Sequence, residues 1–252
     1  MAPNRRRRPG ASAGLIEEPT EAELDECPFC EGREDRTPPE SFRVGGAATW
    51  TVRVVPNLYP AFERQEVVVH SPRHVRSFAE LTDDELAAVA EVWEARREAA
   101  REEGFDYVHA LINEGTAAGS SLPHSHSQLV WLRERPPEVA RESGSAAAEL
   151  LQELVVAELG GMRAVVHPAG RLPYEMLIGG EPFVLGTALL LLREVVGRLR
   201  AVEGAVPWNA WLHEGHLEVV PRLSVLAGVE LGAGIYVNTV APEDAAAALQ
   251  KG

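Results

Sequence analysis

The strongest constraint on the fold is an order of elements that occurs twice. Thr49 to Val55 and Glu66 to His70 read as strands; the first runs into a turn at Pro56-Asn57, and the second carries Val67, Val68 and Val69 and stops at Ser71-Pro72. Thr82 to Arg101 reads as a helix, with Thr82 as N-cap, Glu85 as its capping-box partner, and Leu86, Val89, Ala90 and Trp93 on one face. Gly104 is placed to stop it. Tyr107 to Asn113 and Ser127 to Leu132 follow as strands on either side of a loop rich in Gly and His. After Pro136-Pro137 the composition shifts, and Ala146 to Leu159 predicts a connecting helix. The order then returns: strands at Met162 to His167 and Tyr174 to Ile178, a helix from Gly186 to Val202, and strands at Trp208 to Leu212 and His216 to Val220. Two β-β-α-β-β units imply an α+β protein, mainly antiparallel sheet with flanking helices, divided at residues 1–136 and 137–252. The repeat is one of order and spacing, not of residue identity. Residues 1–26 and 31–41, rich in Pro, Glu, Arg and Thr, read as an irregular arm without a core; a glycine-rich stretch from Gly228 to Gly234 and a helix after Pro242 end the chain.

Charge excludes some functions. With 24 Lys plus Arg against 38 Asp plus Glu the net charge is -14, so nucleic acid is not expected as a main partner. Of the basic residues only Lys251 is a lysine, one position from the end, which removes any credible Schiff-base or phosphate-loop lysine. Covalent chemistry, if the chain performs it, falls to other side chains. No apolar stretch follows Arg5, Arg6, Arg7 and Arg8, as a signal peptide would need, and the apolar run from Phe183 to Leu192 is too short to span a bilayer. The expectation is a soluble, cytoplasmic protein with no membrane partner.

Two sets of residues carry chemistry. Cys27 and Cys30 lie three positions apart, too near for a useful staple, and read as a metal half-site or a redox pair. In the second set Pro123 precedes His124, Ser125, His126, Ser127 and Gln128. Along a strand, residues 124, 126 and 128 share a face, so two imidazoles and a carboxamide point to one site while both serines point away.

Several stretches together resemble the histidine triad superfamily, specifically its nucleotidyltransferase branch, the galactose-1-phosphate uridylyltransferases. They are CPFCEG at 27–32, VVPNLYPAF at 54–62, SPRHVRSFAEL at 71–81, NEGTAAGSSLPHSHSQL at 113–129, RLPYEM at 171–176, and HLEVVPRL through AGVELGAGIYVN at 216–238, which cover most of the chain. The resemblance implies two histidine-triad-like halves and a two-step transfer. His126 attacks the α-phosphorus of a UDP-hexose and holds UMP as a phosphoramidate, which a hexose 1-phosphate then takes up. Neutral imidazole is a competent nucleophile near pH 7. Gln128, which cannot donate a net proton, suits a transferase better than a hydrolase and can bond phosphate oxygens. Asn113 and Ser121 match positions near the transferred phosphates, Gly115 and Gly119 let backbone N–H groups approach them, and Glu230 matches a position that bonds hexose hydroxyls.

The same resemblance supplies His74 and His124 as partners of Cys27 and Cys30 in a structural zinc site, with His70 as the competing ligand. Glu142, His213 and His216 match three of four ligands of a second metal site found in some members, the fourth falling near Glu214. Tyr236 stands about where some uridylyltransferases have a glutamine, which puts galactose in question as the acceptor. The family has a further strand before the stretch that MAPNRRRRPG resembles, so either the start lies late or a nucleotide-contacting edge has been lost. Candidate phosphate-binding arginines are Arg33, Arg36, Arg73 and Arg171. The resemblance also implies a homodimer. Two alternatives stay open: a phosphorylase acting on ADP-sugars or dinucleoside polyphosphates through the same histidine, and a non-catalytic zinc-stabilised nucleotide binder.

Overall fold

The structure, a computed structural model, describes residues 14–46, 49–141 and 152–252. Ten strands form one sheet: β1 (Phe42–Gly45), β2 (Trp50–Pro56), β3 (Arg64–Val69), β4 (Tyr107–Glu114), β5 (His126–Leu132), β6 (Val155–Leu159), β7 (Met162–Val166), β8 (Met176–Gly179), β9 (Trp208–Leu212) and β10 (His216–Pro221). Among the described residues six α-helices accompany it: α1 (Glu21–Glu26), α2 (Asp83–Glu102), α3 (Pro137–Arg141), α4 (Leu185–Glu203), α5 (Gly228–Ala233) and α6 (Pro242–Leu249). The spatial order is β1-β2-β3-β5-β4-β9-β10-β8-β7-β6, and each neighbouring pair is antiparallel. Each half of this order is a three-stranded meander, a helix and a two-stranded hairpin, and the halves meet where β4 pairs with β9.

Sequence and structure agree on the central strands because apolar side chains alternate there. Val108, Ala110 and Ile112 of β4, Leu129 and Trp131 of β5, and Leu217 and Val219 of β10 all point into one core. The two long helices cover that face. The capping box of α2 is formed as the sequence predicts: Thr82 accepts from the Glu85 N–H, and Glu85 accepts in return. Leu86, Val89 and Trp93 are buried beneath it. From α4, Leu189, Leu192, Val196 and Leu199 complete the layer; each fully buried aliphatic side chain contributes about 1.5–3 kcal/mol. Tyr107, His109, Leu111 and Asn113 necessarily turn to the opposite face of the sheet, as do His126 and Gln128.

The connecting helix expected from Ala146 to Leu159 is not what the described part of that stretch forms. Residues 142–151 lie outside the described residues, and Val155–Leu159 is β6, paired antiparallel with β7. Val156 and Ala157 are buried in the core, and that packing outweighs the local preference of a segment that begins rich in Ala and Leu. Strands β1 and β6 were both unexpected from sequence, and they are the two edges of the sheet, where partial exposure removes the apolar alternation. The arm around the cysteines also holds more regular structure than expected, in α1 and a 3₁₀ turn at Glu34–Arg36. Among the described residues no helix is long and apolar enough to cross a membrane.

Candidate active site and metal cluster

β5 begins at His126, and its neighbour β3 fixes what lies beside it: Val69 is opposite His126 and Val67 opposite Gln128. Ser125 and Ser127 turn to the other side, as alternation requires. The Ser125 hydroxyl bonds His70 Nδ1 at 2.9 Å, and the Ser127 hydroxyl accepts from Trp93 Nε1 at 3.0 Å. These two contacts tie the back of the strand to β3 and α2. On the front, His126 Nδ1 donates to the carbonyl oxygen of His124 at 2.8 Å. The other ring nitrogen, Nε2, then carries the lone pair. Burial lowers the pKa of His126, while the bond to His124 opposes that shift, so the ring is neutral near pH 7.

A small cavity adjoins this histidine, lined by Arg76, Asn113, Glu114, Ser120, Pro123 and His126 among others. Asn113 is part of that wall. Its neighbour across the central seam is Asn209, whose Nδ2 donates to Asn113 Oδ1 at 2.8 Å and to the Ala118 carbonyl at 2.7 Å. Gly119, at φ +91°, is left-handed, and a Cβ there would point toward the Asn113 amide, 3.8 Å away. Gly115 serves packing instead of phosphate approach: a Cβ would meet Ile16 at 2.9 Å and Pro207 at 3.0 Å.

Ser121, by contrast, is exposed and absent from the cavity wall; Ser120 occupies it and donates to the Leu122 carbonyl. Glu230 lies on α5, where its carboxylate caps the Ala227 N–H, and it does not line this cavity. None of the four arginine candidates lines it either. Arg33 bonds the carbonyls of Leu24 and Cys27, Arg36 that of Asp25, Arg73 the carboxylate of Glu85, and Arg171 those of Glu175 and Glu218. The arginine at the wall is Arg76, ion-paired to Glu23 at 2.8 Å. Its signal in the sequence was its place two residues beyond His74, on the same excursion from β3.

Cys27, Cys30, His74 and His124 come together at one point, with their ligand atoms all within 4.8 Å of one another. Cys27 Sγ is 3.4 Å from His124 Nδ1, and Cys30 Sγ is 3.3 Å from His74 Nδ1 and 3.8 Å from His124 Nδ1. Tetrahedral ligands at zinc bond lengths stand about 3.5 Å apart, so the set fits a metal ion of that kind. The remaining ring nitrogens are occupied as metal ligands require: His124 Nε2 donates to the Ser71 carbonyl at 2.9 Å, and His74 Nε2 to Glu23 at 2.9 Å. Burial and Cys27 beside it push the Cys30 thiol up to about 11, so a redox role, which needs a ready thiolate, is not supported by this environment. His70 is elsewhere, fully buried against Phe78.

The second set of metal-ligand candidates is only partly formed among the described residues. His213 and His216 stack with ring centroids 4.5 Å apart, and Glu142 lies outside the described residues. Glu214, near which a fourth ligand was expected, is exposed and paired with Arg135. Glu218 stands beside the pair instead, 3.3 Å from His213 Nε2, because residues 216 and 218 share a face of β10. Arg171 and Trp211 Nε1 bond that carboxylate, so its charge is already compensated.

Fold and site define the class: an α+β protein whose central sheet carries a His-x-His-x-Gln strand beside a Cys2His2 cluster. Residues 60–136 match the family model described as galactose-1-phosphate uridyl transferase, N-terminal domain. The ADP-glucose phosphorylase of Arabidopsis thaliana is 26% identical over 315 residues, spanning 100% of this chain and 89% of that protein. A galactose-1-phosphate uridylyltransferase of Streptomyces lividans is 27% identical over 159 residues, 57% of this chain and 42% of the relative. Among solved structures, an ADP-glucose phosphorylase from Arabidopsis thaliana with bound ADP-glucose superimposes with a TM-score of 0.83 at 25% identity, covering 100% of this chain and 94% of that one. A uridylyltransferase mutant gives 0.75 at 25% identity, over 94% and 93% of the two chains. The chain is thus similar to galactose-1-phosphate uridylyltransferase-like proteins, with the family model's match confined to residues 60–136.

Proposed function

We propose that the protein transfers a nucleotidyl group from a nucleotide sugar through a covalent intermediate on His126. The carrying observation is the 2.8 Å bond from His126 Nδ1 to the His124 carbonyl, which leaves Nε2 as the nucleophile. Nε2 attacks the α-phosphorus, a P–N bond forms, and the bond from that phosphorus to the bridging oxygen breaks. The sugar 1-phosphate departs with that electron pair. An acceptor phosphate oxygen then attacks the same phosphorus and returns the lone pair to Nε2. Asn113 and Gln128 are the binding residues that meet the phosphate oxygens. Cys27, Cys30, His74 and His124 would hold zinc, which supplies a fixed cross-link between the N-terminal arm and the start of β5.

The primary reading has UDP-hexose as donor and hexose 1-phosphate as acceptor. A second reading, with ADP-sugar as donor and inorganic phosphate as acceptor, is favoured by the Arabidopsis thaliana ADP-glucose phosphorylase, whose match spans the entire chain. Intact-mass analysis separates them. The protein is incubated with UDP-glucose or ADP-glucose, and a UMP-sized or AMP-sized adduct is recorded and then chased with glucose 1-phosphate, galactose 1-phosphate or phosphate. A UMP adduct discharged by a hexose 1-phosphate supports the first reading, and an AMP adduct discharged by phosphate the second. No adduct with either donor would leave a non-catalytic nucleotide binder.

A further inference from the structure

Carboxamides beside an anion site are useful only if their NH2 ends face the anion. Two hydrogen-bond chains settle which end that is. The backbone N–H of Ala61, which can only donate, reaches Gln65 Oε1 at 2.9 Å. Gln65 therefore turns its NH2 away from Ala61, and that nitrogen donates to Gln128 Oε1 at 2.6 Å. With its oxygen taken, Gln128 has its NH2 left for another acceptor. The second chain has the same logic. The Ala118 carbonyl, which can only accept, accepts a hydrogen bond from Asn209 Nδ2 at 2.7 Å, and the same nitrogen donates to Asn113 Oδ1 at 2.8 Å. Asn113 likewise keeps its NH2 free for the cavity beside His126.

We propose that Gln65 and Asn209 are positioning residues that set the polarity of the anion site: each donates into a carboxamide oxygen so that Gln128 and Asn113 present N–H groups to the phosphates of a nucleoside diphosphate. The topology explains why these two positions can do it. Gln65 on β3 is the diagonal neighbour of Gln128 across the β3–β5 pair, and Asn209 on β9 lies directly opposite Asn113 across the central seam. The second half of the sheet thus contributes a residue to the site borne by the first. The chain through Ala61 also ties the loop after β2 to the strand that bears His126.

The inference rests on His126 accepting the nucleotide, and the test keeps the two apart. Rates of adduct formation are measured by rapid quench and intact mass, with the donor nucleotide sugar that labels the wild type, for wild type, Gln65→Leu, Gln65→Glu, Asn209→Asp and Gln128→Ala. Gln65→Glu can only accept, so it draws the Gln128 NH2 toward itself and turns an oxygen to the phosphate. The expected order is wild type, then Gln65→Leu about tenfold slower, then Gln65→Glu slower again. Asn209→Asp is expected to slow the reaction by tenfold or more, with the loss in kcat as well as in KM. In a Gln128→Ala background Gln65→Glu adds no further loss, a coupling that a merely structural role would not produce. Equal rates for wild type and Gln65→Glu, or the same loss in the Gln128→Ala background, would overturn the positioning role. An unlabelled wild type would instead overturn the reading of His126 itself.

Discussion

The ring of Phe29 meets the ring of His126 edge-on, with 5.5 Å between centroids, and meets that of His124 at 5.9 Å. Phe29 lies between the two cysteines, so the segment that would hold a metal also walls His126. Removing the metal should therefore loosen His126 although no ligand need touch substrate. Metal analysis is expected to find one zinc per chain in wild type at the Cys2His2 cluster and none there in Cys27→Ser, with a lower unfolding midpoint and slower adduct formation. A zinc-free protein that labels at the wild-type rate would contradict this.

Glu23 tests the outer support of the cluster. Its carboxylate accepts from His74 Nε2 at 2.9 Å and pairs with Arg76. Glu23→Gln should weaken zinc binding by about tenfold, read by competition with a chromogenic chelator. Unchanged affinity would show that His74 is held without it.

Trp93 is fully buried, and its Nε1 donates to the Ser127 hydroxyl on the core side of β5. Trp93→Phe removes that bond and part of the packing under β5, and should cost about 1–3 kcal/mol in denaturant unfolding, with zinc content unchanged. A loss below about 0.5 kcal/mol would mean the hydrogen bond contributes nothing net.

His109 gives a pH signature. Burial, with His213 nearby, lowers its pKa to about 4 in the folded chain, against about 6.5 unfolded. Below pH 6.5 the unfolded chain takes up a proton that the folded chain does not, so stability is lost as pH falls from 6.5 toward 4 and is unaffected above that range. His109→Phe keeps a ring for Tyr107 to stack on and removes the titration. Its unfolding midpoint should fall less than that of wild type between pH 7 and 5; parallel curves would assign the acid sensitivity to other groups.

Much of this architecture could be read from residues before any coordinates, and the reasons differ by position. The buried strands β4, β5, β9 and β10 announce themselves by alternation, and α2 by its capping box, because their local preferences and their tertiary packing agree. The edges β1 and β6 were hidden because half-exposed strands lack that pattern, and the Ala-rich approach to β6 favours a helix locally. Within the site, the shared sheet face of His126 and Gln128 was legible from strand alternation. Nothing in the sequence ranks Arg76 above the other arginines; the cavity wall distinguishes it. Asn209 was invisible for a different reason: it reaches Asn113 through the pairing of β4 with β9, a contact between residues 96 positions apart.

If His126 Nε2 forms the bond to phosphorus, peptide mapping of the adduct locates the nucleotide on that residue. After a short incubation with UDP-glucose or ADP-glucose the protein should gain one nucleotide monophosphate, acid-labile as a phosphoramidate is, located on the peptide containing His126 and absent from His126→Ala. A label that persists in His126→Ala, or that maps to another residue, would contradict the account.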